Sequence, residues 1–307
     1  MDRREFLGKL LIAGAAAGSA GLLGGRGSLF AEETAKAGLY PDLVAVKNGK
    51  TEDMFDRALL TMGGLNRFFK RGAIVVVKPN IGWDRPPEAN ATTNPILVAR
   101  IVQRCLEAGA AKVIVFDHTC DDANACYRTS MIEKYAKDAG AQVAPGGSKT
   151  YYQEVTIAGA KTLKKTFVHE LILESDAWIN VPVLKNHGGA GMTSAMKNLM
   201  GIVWNRDTFH STGLDSCIAD IALYRRPTLN VVDAFNVMLS QGPRGNAAST
   251  YRMEKMLIMS PDIVAIDAAS AKVLGKEPSS FSYIGMGHDR NAGRQDIANL
   301  KIERITM

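Results

Sequence analysis

No Cys-x-x-Cys occurs anywhere in the 307 residues, and the four cysteines, Cys105, Cys120, Cys126 and Cys217, are widely scattered. Iron–sulfur clusters and structural zinc sites draw on closely spaced cysteine pairs, so neither is expected from this chain, and the sequence names no other cofactor. Cys120 and Cys126 are the one local pair that an oxidising compartment would join. Beyond residue 31 no apolar run is long enough to span a bilayer. There is no arginine-rich arm and no basic strand studded with aromatic residues, so a net charge of +6 spread over the whole chain does not point to nucleic acid. Low-complexity tracts are missing too. With 46% hydrophobic residues the chain can bury a large core as one extended or two small α/β domains.

What is present begins at the N-terminus. Arg3 and Arg4, in Asp-Arg-Arg-Glu-Phe-Leu, precede a glycine-, alanine- and leucine-rich run over residues 10–25, and Ala31 offers a small residue for cleavage. This is the pattern of a twin-arginine signal over residues 1–31, which predicts a periplasmic or otherwise extracytoplasmic protein and the twin-arginine (Tat) translocase as a transient partner. A membrane-spanning helix is the alternative, but so many small residues make the run weakly hydrophobic. Losing four basic and two acidic residues with the signal lowers the net charge from +6 to +4. The remaining chain, 32–307, reads as a single α/β domain or as two lobes at about 40–175 and 176–307.

After the signal, helical periodicity alternates with short, solidly apolar runs. Residues 43–46, 73–77, 111–116, 141–143, 178–184, 229–232, 256–259 and 300–305 read as strands. Residues 51–62, 95–108, 130–139, 216–224 and 261–274 read as helices. Strands apolar on both faces and separated by helices imply a mostly parallel sheet with helices on both faces, whose ligands sit in a cleft beyond the strand carboxyl ends. Polar residues cluster at those ends: Lys78, Pro79 and Asn80; Asp117 and His118; Lys185 and His187; Asp233. Residues 81–93 are long for a strand–helix connection and have the length of a lid.

The richest stretch is 179–201. An apolar run ends at Lys185, Asn186 and His187, followed by Gly188, Gly189 and Gly191 and then a helix opening near Thr193. On that helix Thr193, Ser194, Lys197 and Asn198 share one arc of about 140°, with apolar residues filling the rest. A glycine turn that feeds a helix start aims N–H groups and the positive dipole end at one point, and here two lysines and a histidine surround it. The expectation is an anion site holding a carboxylate or phosphate through Lys78, Asn80, Thr93, Lys185, Asn186, Gly189, Gly191, Thr193, Lys197 and Asn198. Arg244, between Pro243 and Gly245 in a turn, adds a planar fork. Asp117, His118, Asp121 and Asp122 are hard ligands within one loop, yet with a single histidine a solvated acidic turn explains them as well, and no metal is assigned.

Lys78-Pro79-Asn80, Ala-Thr-Thr-Asn-Pro (91–95), Asn-Val-Pro-Val-Leu-Lys-Asn-His (180–187), Thr-Ser-Ala-Met-Lys-Asn-Leu-Met-Gly (193–201), Val-Val-Asp-Ala (231–234), Gly-Pro-Arg-Gly (242–245) and Ser-Pro-Asp-Ile-Val-Ala-Ile-Asp-Ala (260–268) resemble the bacterial and archaeal domain of unknown function family numbered 362. The resemblance covers nearly all of the mature chain and implies the α/β fold and a shared site, with no reaction attached. Some members of that family carry ferredoxin-type iron–sulfur domains, whose cysteines this chain lacks.

Two classes of function follow. In the first the protein is an enzyme acting on a small anion, with His187 and Lys185 as acid/base and Asp117 or Asp233 orienting the histidine. In the second it captures an anionic ligand, or an anionic cofactor of a redox partner, without chemistry. A carboxylate within hydrogen-bond reach of His187 or Lys185 separates the two.

Overall fold

The computed structural model describes residues 39–307, so the signal segment lies outside the described residues. Twelve strands are found among these residues: β1 (Leu43–Lys47), β2 (Ile74–Pro79), β3 (Lys112–Val115), β4 (Gln142–Val143), β5 (Tyr152–Thr156), β6 (Lys165–His169), β7 (Ala177–Val181), β8 (Val183–His187), β9 (Gly191–Thr193), β10 (Leu229–Met238), β11 (Tyr251–Ser260) and β12 (Ile302–Thr306). Ten of them form one sheet in the order β12-β1-β11-β10-β7-β2-β3-β4, with β8 on β10 and β9 on β8, while β5 and β6 make a separate hairpin. The pairings β1–β12, β10–β7, β10–β8, β7–β2, β2–β3 and β3–β4 are parallel, and β1–β11, β10–β11 and β8–β9 are antiparallel. The fold is thus α/β with a mostly parallel sheet. β7 pairs with β2 across the expected lobe boundary at residue 175, so the sheet runs through both halves of the chain.

Strand alternation divides the core. Val75 and Val77 of β2 pack with Ile179, Val181 and the helices Thr51–Thr61 and Pro95–Glu107 on one face. Val76 packs with Trp178, Val232 and the 195–202 and 263–273 segments on the other. Both faces are dry, because in a parallel sheet the crossovers place helices on each side.

Three local expectations are corrected. The run 178–184 is two strands, since Pro182 has no N–H to continue the ladder; past it β8 pairs with β10. The helix expected over 130–139 is present as Ile132–Asp138, and a further short helix, Ala123–Thr129, precedes it with Met131 at φ 61 between them. The glycines after His187 do not open a helix: Gly188, Gly189 and Ala190 turn the β8–β9 hairpin, and the helix begins only at Ala195. Nor is the 81–93 segment a free flap. Ile81, Ala91, Thr92 and Thr93 are buried, and Gly82 accepts the Cys120 N–H at 2.8 Å.

Candidate functional site

The alternation that fills the core also sets the polar groups. Lys78 shares a face with Val76, Asn180 with Trp178 and Asn230 with Val232, so all three point beneath the 195–202 segment. Side-chain amides connect there in series. Lys185 Nζ donates to Asn80 Oδ1 (3.3 Å), Asn80 Nδ2 to Asn198 Oδ1 (3.0 Å), Asn198 Nδ2 to Asn180 Oδ1 (2.9 Å), Asn180 Nδ2 to Asn230 Oδ1 (3.0 Å), and Asn230 Nδ2 to the Ser260 carbonyl (3.2 Å). Each amide fixes the next, which holds Lys185 and Asn80 rigidly at the sheet end.

Lys78 and Asp117 form a buried ion pair at 2.7 Å, with Lys78 also donating to the Pro79 carbonyl at 2.8 Å. Asp117 is further held by the Ile81 N–H at 2.7 Å. Burial lowers the Lys78 pKa and Asp117 partly offsets it. Gly201 crosses directly over this pair, and its carbonyl accepts the His118 N–H at 3.0 Å.

Above the pair lies a cavity of about 380 Å³, lined by Lys78, Asn80, Asp117, Lys185, His187, Thr193, Lys197 and Asn198 among the expected residues. It also takes in Trp83, His118, Cys120, Arg206, Asp207 and His210. Four Lys/Arg side chains line it against two carboxylates, and Asp117 is engaged by Lys78. Lys185 is fully buried without a carboxylate partner, and burial followed by repulsion from Lys197 pushes its pKa down to about 7. Lys197 has no hydrogen-bond or ion-pair partner among the described residues, and burial brings it to about 8. Thr193, 2% exposed, leaves Oγ1 unpartnered. Unmatched cations and an unused hydroxyl thus face one hollow.

Two of the three histidines that line the cavity, His187 and His118, have opposite tautomers. His187 Nδ1 accepts from the Gly189 and Ala190 N–H groups, both at 3.1 Å, so its proton sits on Nε2. Burial and the positive Lys197 push its pKa down to about 3. His187 is therefore placed as a hydrogen-bond donor through Nε2, with Nδ1 capped by the amides of its own turn. His118 is the reverse. Its Nδ1 donates to the Val203 carbonyl (2.8 Å) and its ring stacks on Trp204 (4.9 Å between centroids), leaving Nε2 bare. Burial and Arg206 lower its pKa, so it stays neutral.

Other expected residues turn away from the cavity. Asp233 accepts the Asn94 and Phe235 N–H groups at 2.9 and 3.2 Å and braces the start of the Pro95–Glu107 helix. Neither it nor Asp117 bonds to His187. Asp233→Ala leaves those two amides without their acceptor; we expect a loss of about 1–3 kcal/mol in thermal unfolding and unchanged anion titration, since no cavity group moves. An equal loss of binding would place Asp233 in the site after all. Thr93 donates to the Val181 carbonyl (2.6 Å) and accepts the Asn80 N–H (2.8 Å), so it positions Asn80. Asn186 holds the Gly242 N–H at 3.2 Å. Gly189 spends its N–H on His187, and Gly191, at φ 73, shapes the hairpin turn against Phe281. Arg244 is half exposed and pairs with Asp121 at 3.1 Å. The helix start itself is filled from within: the buried Asp267 carboxylate accepts the Ala195 and Met196 N–H groups at 2.6 and 3.1 Å.

Cys120 and Cys126 are both free thiols, Cys126 buried within its helix and Cys120 exposed beside Arg206. The hard ligands of the 117–122 loop are spent separately: Asp117 on Lys78, His118 on Val203, Asp121 on Arg244 and Asp122 on the Ala125 N–H. Among the described residues no group of three or more such side chains is placed to hold a metal ion. Arg206, Asp207 and His210 had no sequence signal, because they follow no strand and flank no glycine turn.

The thylakoid-associated protein sll1697 of Synechocystis sp. is 23% identical over 228 residues, covering 72% of this chain and 68% of its own. Among solved structures, the lactate racemase apoprotein from Thermoanaerobacterium thermosaccharolyticum is similar at a TM-score of 0.44 and 15% identity, over 69% of this chain and 54% of that one. A Thermotoga maritima protein reaches 0.46 and 12%, over 74% and 58%. The chain thus spans little more than half the length of either structure. With residues 75–272 matching its family profile, the chain belongs to the family described as a domain of unknown function (DUF362).

Proposed function

We propose that this protein captures a small carboxylate- or phosphate-type anion in the cavity and carries out proton chemistry on it, with Lys185 as the acid/base and His187 as a neutral N–H donor. The observation that carries the reading is the convergence of Lys185, Lys197 and Arg206 on one hollow where Lys197 has no ion-pair partner among the described residues. A lysine whose pKa is near 7 exchanges protons readily at neutral pH, and a neutral imidazole polarises an oxygen without competing for its proton. One observation favours a second reading, capture alone, as an anionic ligand or cofactor carrier for a redox partner: neither His187 nor Lys185 has a carboxylate partner. Export through the twin-arginine translocase belongs to the same proposal and rests on Arg3 and Arg4.

Calorimetric titration with small mono- and dicarboxylates between pH 6 and 9 tests the site. Both lysines carry charge below about pH 7 and lose it as pH rises through about 7 and about 8. Affinity is therefore expected to be full at pH 6 and to fall steadily to pH 9, and at pH 8 binding should take up protons because the anion favours the charged lysines. Heats that are absent for every carboxylate and for inorganic phosphate would remove the reading.

A further inference from the structure

Three of the four cysteines are buried packing residues: Cys105, Cys126 and Cys217 are each 0% exposed, and burial pushes the Cys126 thiol up to about 12. Cys120 differs in every respect. Its side chain is exposed, it lines the cavity, and its sulfur lies 3.2 Å from Arg206 Nη1. Arg206 is held in turn by the carbonyls of His118 (3.0 Å) and Thr119, so the guanidinium is fixed where a thiolate would need its counter-charge. The backbone is fixed as well, through the Cys120 N–H on Gly82. A second and independent feature points to a ligand in the same hollow: Thr193, almost wholly buried, has its hydroxyl unpartnered.

We propose that Cys120 is the nucleophile of this cavity and that its partner is a small carboxylate bearing an electrophilic carbon next to the carboxyl group, of the 2-oxo acid class. The inference rests on the anion-site reading above: the carboxylate lodges against Lys197 and Arg206, which brings the adjacent carbon to the sulfur. For a 2-oxo carboxylate the step balances without a co-reactant. The sulfur bonds to the carbonyl carbon, the C=O π pair moves onto oxygen, and the proton that leaves the thiol ends on that oxygen as a hydroxyl. His187, with its proton on Nε2, contributes an N–H in the same cavity for the oxygen as charge builds.

The test uses two alkylating probes of equal size, anionic iodoacetate and neutral iodoacetamide, with peptide mapping of the full-length protein and glutathione as the free-thiol reference. Each forms an S–C bond at Cys120 and releases iodide. If the cavity draws carboxylates to the sulfur, the iodoacetate-to-iodoacetamide rate ratio at Cys120 should exceed that of glutathione by roughly ten-fold. Pyruvate should slow iodoacetate, and Lys197→Met should return the ratio to the glutathione value. A wild-type ratio equal to glutathione's, or a Cys120 that neither probe modifies, overturns the proposal without needing any variant. Calorimetry with Cys120→Ser tells the two levels apart. Carboxylate binding retained in that variant alongside an ordinary thiol ratio in the wild type defeats the nucleophile and leaves the anion site standing, whereas no carboxylate binding by the wild type defeats both.

Discussion

Gly201→Ala is expected to be the most damaging single-methyl change near the cavity. A Cβ at residue 201 would stand 1.9 Å from Asp117 Oδ1, 2.6 Å from Lys78 Nζ and 2.7 Å from Lys78 Cε. None of these can yield cheaply, because Lys78 is fully buried and Asp117 is tied to the Ile81 amide. The methyl must prise the ion pair apart, and a buried pair that loses one partner leaves an uncompensated charge, worth about 3–5 kcal/mol. For a chain of this size that is a fall of roughly 10 °C in melting temperature. Asp117→Asn, which keeps the shape and removes the charge, should fall by a similar amount. The double variant should lose clearly less than the sum, since both changes act on one interaction. A Gly201→Ala protein that melts with the wild type would show that the crossing over Lys78 is loose.

Lys197→Met should separate binding from stability. The methionine keeps the stem, and because the ammonium has no partner among the described residues, nothing is left unsatisfied by its removal. Carboxylate affinity should drop about 10- to 100-fold, the worth of one charge-assisted contact. Stability should stay level or rise, and its pH dependence gives the sign. Burial depresses the folded-state pKa of Lys197 to about 8, below its usual 10.5. Between those values the unfolded chain binds more protons, so the lysine's contribution to stability improves as pH rises from about 8 to 10. Lys197→Met should flatten that rise. Lys185→Met should lose affinity as well, but it also strips donors from Asn80 and the Ala91 carbonyl, so its melting temperature is the less clean readout. If Lys197→Met unfolds the protein, or binds carboxylates as tightly as before, the lysine is structural and the anion site is wrong.

The sequence by itself determined the architecture and the neighbourhood of the site. Val75, Val76 and Val77 in an unbroken apolar run mean a strand dry on both sides, which in turn means helices on both faces and polar residues gathered at the strand ends. Lys78, Asn80, Lys185 and His187 were legible in that way, because a strand end is a local property, and Lys197 was legible from the polar arc of the helix that follows. What only the tertiary structure decided is where each polar group spends its hydrogen bonds. Asp267 fills the helix start at Ala195 from 72 residues away, and Asp233 turns to Asn94 across 139. Arg206 reaches Cys120 across 86. His187 is reduced to a donor by two amides of its own hairpin turn, whose bend depends on how β9 folds back on β8. A buried polar atom must find a partner, and which one it finds depends on elements that packing brings together from distant parts of the chain, so periodicity places the residue while the fold assigns its chemistry.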